Sequence, residues 1–346
     1  MPRAKVKKII SYISRFAVAA AALYMASRKE NLRDVATDLW KLNLWVFVAA
    51  MAIYIVSQLI FVSRWYLLLR VQSIKIGYWP AVRLHFLGLF YNNCLPGSVG
   101  GDFLRAWYVT KHTDKKVEAA LSVFVDRAVG LTGVFIMAFG SYWFIPAEGR
   151  KELLTPSYSV NLLPRLGEYK GTLITVTTVF ITCIASIIWT QRGRSLLHRA
   201  YIIIREHSIA LSAKTYMAIR IYLTKGLTMF FALLLTFACQ AVAIISMWLV
   251  GREINHGIQI KYYLIFFPVS WLLGTLPISV GGAGIMEWWL KAMFEKICLV
   301  PGSQAFALAI WQRIIWLLAS LPGAAIHLLG AHLPKEFSID YNKPVN

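Results

Sequence analysis

The chain has 346 residues, is 58% hydrophobic and 15% charged, and carries a formal net charge of +20 with a mean hydropathy of +0.59. A soluble domain carries about 25% charged residues, so a water-soluble enzyme is excluded. A basic nucleic-acid binder is excluded as well, because the Lys and Arg fall mostly between apolar runs, where they serve the positive-inside rule and meet anionic lipid headgroups.

Apolar segments are predicted at 9–26, 44–63, 80–104, 117–145, 171–190, 222–250, 262–290 and 303–330, several of them near the roughly 20 residues that cross a bilayer. The first follows MPRAKVKK and reads as a retained signal anchor, since Tyr24 stands where a cleavage site after Ala26 wants a small residue. The loop at 146–170 holds Pro146, Pro156 and Pro164 and is expected to be irregular and outside. The stretch 191–225 mixes basic residues with apolar clusters. It is read either as amphipathic helices on an anionic leaflet or as a plain basic loop. Cys94, Cys183, Cys239 and Cys298 are far apart and form no CxxC or Cys/His cluster, so no zinc site or disulfide framework is expected.

The third and seventh segments share a motif. Residues 95–102 read LPGSVGGD and residues 276–283 read LPISVGGA. Pro lacks an N–H and a Gly pair is entropically costly in a helix, so both sites should break the helix. Broken backbone at membrane depth is tolerated only where protein buries it or where it lines a wet cavity. The repeat is longer than the break: Gln58 and Gln240 precede Pro96 and Pro277, and Arg127 and Arg313 follow them, in the same order. One single transmembrane unit over 1–346 is therefore expected, with repeat one at about 40–145 and repeat two at about 222–330.

Charge chooses a topology. If both broken segments cross the membrane, the loops on the two sides receive 17 Lys+Arg each; if both are re-entrant hairpins, one side receives 22 and the other 12. Only the re-entrant arrangement gives a positive-inside bias. The expected fold is an all-α polytopic membrane protein of two inverted repeats, each with a Pro/Gly-broken re-entrant hairpin. Both termini are expected in the cytoplasm.

A short helix is expected after Gly100-Gly101 and after Gly281-Gly282. The free N–H groups of a helix start carry partial positive charge and attract anions; tight hairpin packing would explain the same glycines. Arg127 and Arg313 sit in apolar runs, where an arginine costs at least about 2.5–3.5 kcal/mol and so faces a partner or a polar cavity. They bind either phosphate, which the planar guanidinium fork suits, or the few acids nearby, Asp102, Asp126 and Glu287. Asp102 and Arg105 are spaced to pair on one helix face, whereas the neighbours Asp126 and Arg127 point apart. Ser98, Ser279, Asn92, Asn93, Gln58, Gln240 and Gln312 are candidates for a polar path. No HExxH, Walker loop or nucleophile elbow occurs, and no metal or other cofactor is expected.

The stretches NNCLPGSVGGDFLR (92–105), VDRAVGL (125–131) and LPISVGGAGIMEW (276–288) resemble the flippase-like membrane family of the lysylphosphatidylglycerol synthase transmembrane region. The resemblance covers about residues 40–330. It implies an inner-membrane protein with two re-entrant elements that moves a lipid, often anionic or aminoacylated, between leaflets. The family motif positions fall on Gly100, Gly101, Asp102, Arg105, Asp126 and Arg127, and on Gly281, Gly282 and Glu287; the repeat adds Arg313. Lipid-modifying synthases of this type carry a further soluble catalytic domain, which this chain is expected to lack. The expected function is a lipid flippase for an anionic phospholipid or a polyprenyl-phosphate lipid. The alternative is a membrane-embedded enzyme or accessory subunit of lipid or glycolipid synthesis. Expected partners are membrane lipids and a separately encoded lipid-modifying transferase.

Overall fold

The computed structural model describes residues 19–20, 22–24, 26–27, 30–94, 100–111, 113–142, 220–222, 224–255, 257–275 and 279–329. The expected segment 171–190, the two readings of 191–225, the loop at 146–170, most of the first apolar segment, Ser98 and both termini lie outside these residues.

The described residues are helical, with no strand among them. In chain order the helices are α1 (Leu32–Trp40), α2 (Leu44–Val71), α3 (Tyr78–Cys94), α4 (Gly100–Lys111), α5 (Lys116–Tyr142), α6 (Gly226–Ile254), α7 (Ile260–Thr275), α8 (Ile285–Ile297) and α9 (Gly302–Leu328). Four of them are long and apolar enough to cross a bilayer: Leu44–Val71, Lys116–Gly140, Gly226–Ile254 and Gly302–Leu328. The described residues thus form an all-helical set with four candidate membrane spans. The helices α3 and α7, of 17 and 16 residues, reach about 25 Å at 1.5 Å per residue, less than the roughly 30 Å of a hydrocarbon core.

Local chemistry sets several boundaries. Asn31 accepts the N–H of Arg33 and starts α1, and Asn43 accepts the N–H of Trp45 at 2.8 Å and starts α2. The expected end of the second segment at residue 63 is corrected: α2 runs on to Val71 through Arg64, which is fully buried and ion-paired. The expected loop at 27–43 contains α1, whose Val35 and Leu39 pack with Phe306, Trp288 and Ile310. The seventh segment divides into α7, a 3-10 turn (Val280–Gly282) and α8; Gly281, Gly282 and Gly284 all have positive φ, the region open to glycine.

Packing repeats between the halves. Taking α2, α3, α4 and α5 as counterparts of α6, α7, α8 and α9, each helix contact in one half has a matching contact in the other: α3 on α4 matches α7 on α8, and α4 on α5 matches α8 on α9. The halves also exchange contacts, α3 packing on α9 as α7 packs on α5, while α2 and α6 pack on each other. The α2–α6 seam is antiparallel. Ala50 meets Ser246 and Arg64 meets Thr236, and Leu68 meets Tyr222 just ahead of α6, so one number rises as the other falls. α2 and α5 are antiparallel too, with Trp65 at Ser122 and Arg64 at Asp126. α2 runs parallel to α9, Phe47 meeting Trp311 and Tyr54 meeting Trp316.

The apolar core is built around Trp65, Leu69, Ile74, Ile76, Leu84 and Val109, which fasten α2, α3 and α4 together. In the second half the rings of Tyr263, Phe266, Phe267 and Phe294 join α7 to α8 in edge and tilted contacts, a geometry that adds to area burial.

Candidate functional site

Polar groups tie α3 to α4. Gly101 lies against the backbone of Gly88, so close that a Cβ would overlap the Gly88 carbonyl. Its N–H donates to Asn92 Oδ1 at 2.8 Å, so this helix-start donor is satisfied from α3. Gly100 opens α4, and Asp102 and Arg105 sit one turn apart on its buried face, joined through Arg105 Nη1 and Asp102 Oδ1 at 3.2 Å. In the second hairpin Glu287 accepts the N–H of Gly284 at 2.6 Å and holds Arg313 Nε at 2.6 Å. Arg313 also donates from Nη1 to the carbonyl of Gly281 at 2.9 Å. Ser279 is buried beside this turn, and its hydroxyl has no hydrogen-bond partner among the described residues. The hairpins touch: a methyl group at Gly281 would stand 3.1 Å from the Asn92 carbonyl oxygen.

Charges alternate through the first half. Arg64 donates from Nε to Asp126 Oδ1 at 2.8 Å and from Nη1 to Thr236 of α6 at 2.9 Å. Arg105 stands 3.7 Å from Asp126, an ion pair beyond hydrogen-bond reach, and pairs with Asp102, which also accepts from Arg127 Nε. The series Arg64, Asp126, Arg105, Asp102, Arg127 holds three guanidinium groups and two carboxylates. Arg64 stacks over Phe61 at 4.2 Å and Arg105 over Trp65 at 4.0 Å, contacts that suit a weakly hydrated, planar cation. Arg64 Nη2 and Arg105 Nε and Nη2 are buried without hydrogen-bond partners, a costly state for charged donors that an incoming acceptor relieves.

These groups adjoin a cavity of about 240 Å³ between the halves of the helical unit. Its wall includes Arg64, Asp102, Arg105 and Arg127 at one end and Tyr54, Trp271 and Trp316 at the other. Gln58, His85, Asn92, Asn93 and Gln240 contribute amide and imidazole groups, with His85 Nε2 and Gln58 Oε1 3.1 Å apart. Gly281 also reaches the wall.

Of the residues singled out in the sequence, Asp102, Arg105, Arg127 and Gly281 meet at the cavity. Asp126 lies behind them, bound to Arg64 and Arg105. Gly100 begins α4, Gly101 packs on Gly88 and Gly282 lies in the 3-10 turn, while Ser279, Glu287 and Arg313 gather at the second break and are not in the cavity wall. Sequence reasoning missed Arg64 by assigning it to a basic loop. The apolar run WYLLL continuing after it, and its place three residues beyond Phe61, are the signals that it belongs to the helix. Among the described residues no cluster of three His, Cys, Asp or Glu could hold a metal ion.

Residues 12–323 match the family described as the lysylphosphatidylglycerol synthase TM region. The chain is also 20% identical over 308 residues to a "UPF0104 membrane protein" of Methanothermobacter thermautotrophicus, a match covering 84% of this chain and 87% of that protein. With nine-tenths of its length matched, this helical chain and its arginine-walled cavity belong to the family of the lysylphosphatidylglycerol synthase transmembrane region.

Proposed function

We propose that this protein moves a phosphate-bearing lipid between the leaflets of the cytoplasmic membrane, the headgroup passing through the arginine-walled cavity while the tails stay in the bilayer. The observation that carries this reading is the pair of buried arginines, Arg64 and Arg105, each with N–H groups that have no hydrogen-bond partner, in the wall of a hollow. A guanidinium donates two hydrogen bonds to one phosphate. At about 240 Å³ the cavity is below the 300–1,000 Å³ of sites for drug-sized ligands, which suits a headgroup without its chains.

Inverted repeats and re-entrant hairpins fit this function, because a site between inverted halves can be exposed to either side in turn. The antiparallel α2–α6 seam, joining counterpart helices, supports inversion. The antiparallel α2 and α5 support a first hairpin that returns to the side it left; a single crossing between them would make them parallel. The short α3 and α7 support the same arrangement. All three carboxylates singled out in the sequence are engaged by arginine.

The test is reconstitution of purified protein into vesicles carrying acyl-labelled phosphatidylglycerol, phosphatidic acid or a polyprenyl phosphate, with loss of label to an external quencher followed over time. Exchange faster than in empty vesicles, slowed by Arg127→Ala and Arg105→Gln in folded protein, is the expected result. Exchange at the empty-vesicle rate for all these lipids overturns the reading.

A further inference from the structure

We infer that α1 lies flat on the bilayer surface where α2 begins, with Trp40, Leu44 and Trp45 seated at the boundary between headgroups and acyl chains. The partner of this surface is the leaflet itself, held by burial of aromatic and aliphatic groups and not by headgroup charge. The inference stands apart from the proposed transport and does not depend on it.

The spans show where the boundary lies. Arg70 stacks over Tyr66 at 4.9 Å near the end of α2, and Arg252 over Trp248 at 5.0 Å near the end of α6. Such pairs keep the ring at headgroup level while the charge reaches water. From Trp45 to Tyr66 α2 rises about 32 Å, close to the roughly 30 Å of a hydrocarbon core. Because α6 runs against α2, with Ser246 at Ala50, Trp248 stands at the Trp45 end. At the start of α7, just after α6 ends, Lys261 sits 5.2 Å from the ring of Tyr262. Trp45, Trp248 and Tyr262 therefore mark one boundary. Only Lys41, Leu42 and Asn43 separate α1 from α2, which keeps Trp40 close to it.

α1 crosses the start of α9 instead of running along it. Glu30, just ahead of α1, lies where a Cβ on Gly302 would stand, while Asp38 near the other end accepts from Ser303 at 2.8 Å. Glu30 and Asp38 are at least about 12 Å apart along the chain axis, yet they meet successive residues of α9. Since α9 is a candidate span, a helix laid across its end runs along the membrane plane.

Helical spacing sorts α1 onto three faces. Val35 and Leu39 pack on the protein with Phe306, and Asp38 beside them holds Lys41 and Ser303. Asp34, Thr37 and Lys41 form an exposed polar face. Arg33, Ala36 and Trp40 form the third, also exposed. Trp40 is 89% exposed, and Leu44 and Trp45 are 69% and 79% exposed. Leu44, Trp45 and Val48 open the outward stripe of a span, so the apolar surface at Trp40 continues a surface that faces lipid. An indole at this level keeps its ring in the apolar layer and its N–H toward water, and the long stem of Arg33 lets its charge reach the surface. Arg33 is offset by Asp34 and Lys41 by Asp38, so the helix has no basic face for anionic lipid. Glu30 and Asp38 fasten α1 to α8 and α9, and a seated α1 fixes the depth of both.

The experiment places a spin label at Ala36→Cys, Asp34→Cys or Val48→Cys in the full chain with its natural cysteines replaced. The protein is reconstituted in phosphatidylcholine vesicles with and without phosphatidylglycerol. Collisions with oxygen, which concentrates in lipid, and with a water-soluble nickel chelate are then measured. The Ala36 label should favour oxygen over nickel by about threefold or more relative to the Asp34 label, with Val48 deeper still, because an interfacial helix sinks one face about 5–10 Å into the headgroup layer. The contrast should be unchanged by salt or by phosphatidylglycerol. Trp40→Ser/Trp45→Ser should reduce it by about half or more; the contrast in the otherwise unaltered chain stands whether or not this variant folds. Labels at Ala36 and Asp34 that are equally open to nickel overturn the inference, as does an Ala36 label shielded from both reagents, the mark of protein cover. A contrast that collapses in high salt or without phosphatidylglycerol overturns it too, since charge would then be the attraction.

Discussion

Arg64 and Asp126 lie 62 residues apart in the chain and meet at 2.8 Å with essentially no exposed surface on either side chain. Removing one member leaves the other charged and buried, so Arg64→Met should cost about 3–5 kcal/mol. The double variant Arg64→Met/Asp126→Leu should recover most of that loss, because Arg105 keeps Asp102 as its partner. Arg64→Lys should behave more like Met than like Arg, since one ammonium cannot reach both Asp126 and Thr236. Thermal unfolding of these proteins and of Asp126→Leu in detergent gives the coupling energy; a double variant as unstable as Arg64→Met contradicts the pairing.

The contact of Gly101 with Gly88 predicts a sharp contrast between glycines. Gly101→Ala drives a methyl group into backbone that cannot swing aside and should cost about 1–3 kcal/mol or more, with lower folded yield. Gly140 in α5 has nothing within 4 Å of its missing Cβ, and Gly140→Ala should stabilise the helix by about 0.5–1 kcal/mol. Unfolding midpoints of the two variants against wild type check both signs.

Hairpin topology is testable by sidedness. In a chain with its natural cysteines replaced, single cysteines at Lys75 and Asp114 flank the first hairpin, and those at Gln259 and Pro301 flank the second; all four positions are exposed. A membrane-impermeant maleimide on intact cells should label Gln259→Cys and Pro301→Cys, and should reach Lys75→Cys and Asp114→Cys only after permeabilisation. Labelling of Lys75→Cys and Asp114→Cys from opposite sides contradicts a re-entrant first hairpin.

Lys291 is buried on α8 and reaches Glu30 at 2.7 Å and Glu295 at 3.5 Å, while Ser303 at the start of α9 donates to Asp38 of α1 at 2.8 Å. Glu30→Ala should loosen α1 from this end of the bundle and destabilise by about 3 kcal/mol or less, because Glu295 remains. Limited proteolysis in the 30–43 segment should accelerate in Glu30→Ala and more in Glu30→Ala/Asp38→Ala. Cleavage at the wild-type rate in the double variant would show that the apolar contacts of Val35 and Leu39 alone hold α1.

The sequence made the helical class, the long apolar spans and the two broken sites readable, because hydropathy and Pro/Gly chemistry act locally. Asp126 and Arg127 were separable by helix geometry, and the structure indeed gives them different partners, Arg64 and Asp102. The identity of those partners is a tertiary fact. Arg64 read as loop because a charge normally ends a span, and only its distant neutralisation by Asp126 lets α2 continue. The α1 helix was passed over because it is nine residues long and amphipathic, with Asp34 and Asp38 among its apolar residues, and a search for membrane spans does not see it, although Asn31 and Asp34 are ordinary helix-start residues. Tyr54, Trp271 and Trp316 looked like span residues, and only packing sets them around one hollow.

The exchange of contacts, α3 seated on α9 and α7 seated on α5, interlocks the two halves like clasped hands. A gene fragment encoding either half alone would yield a polypeptide whose hairpin has lost the helix it leans on and whose cavity lacks a wall. Such fragments are obligate partners of each other.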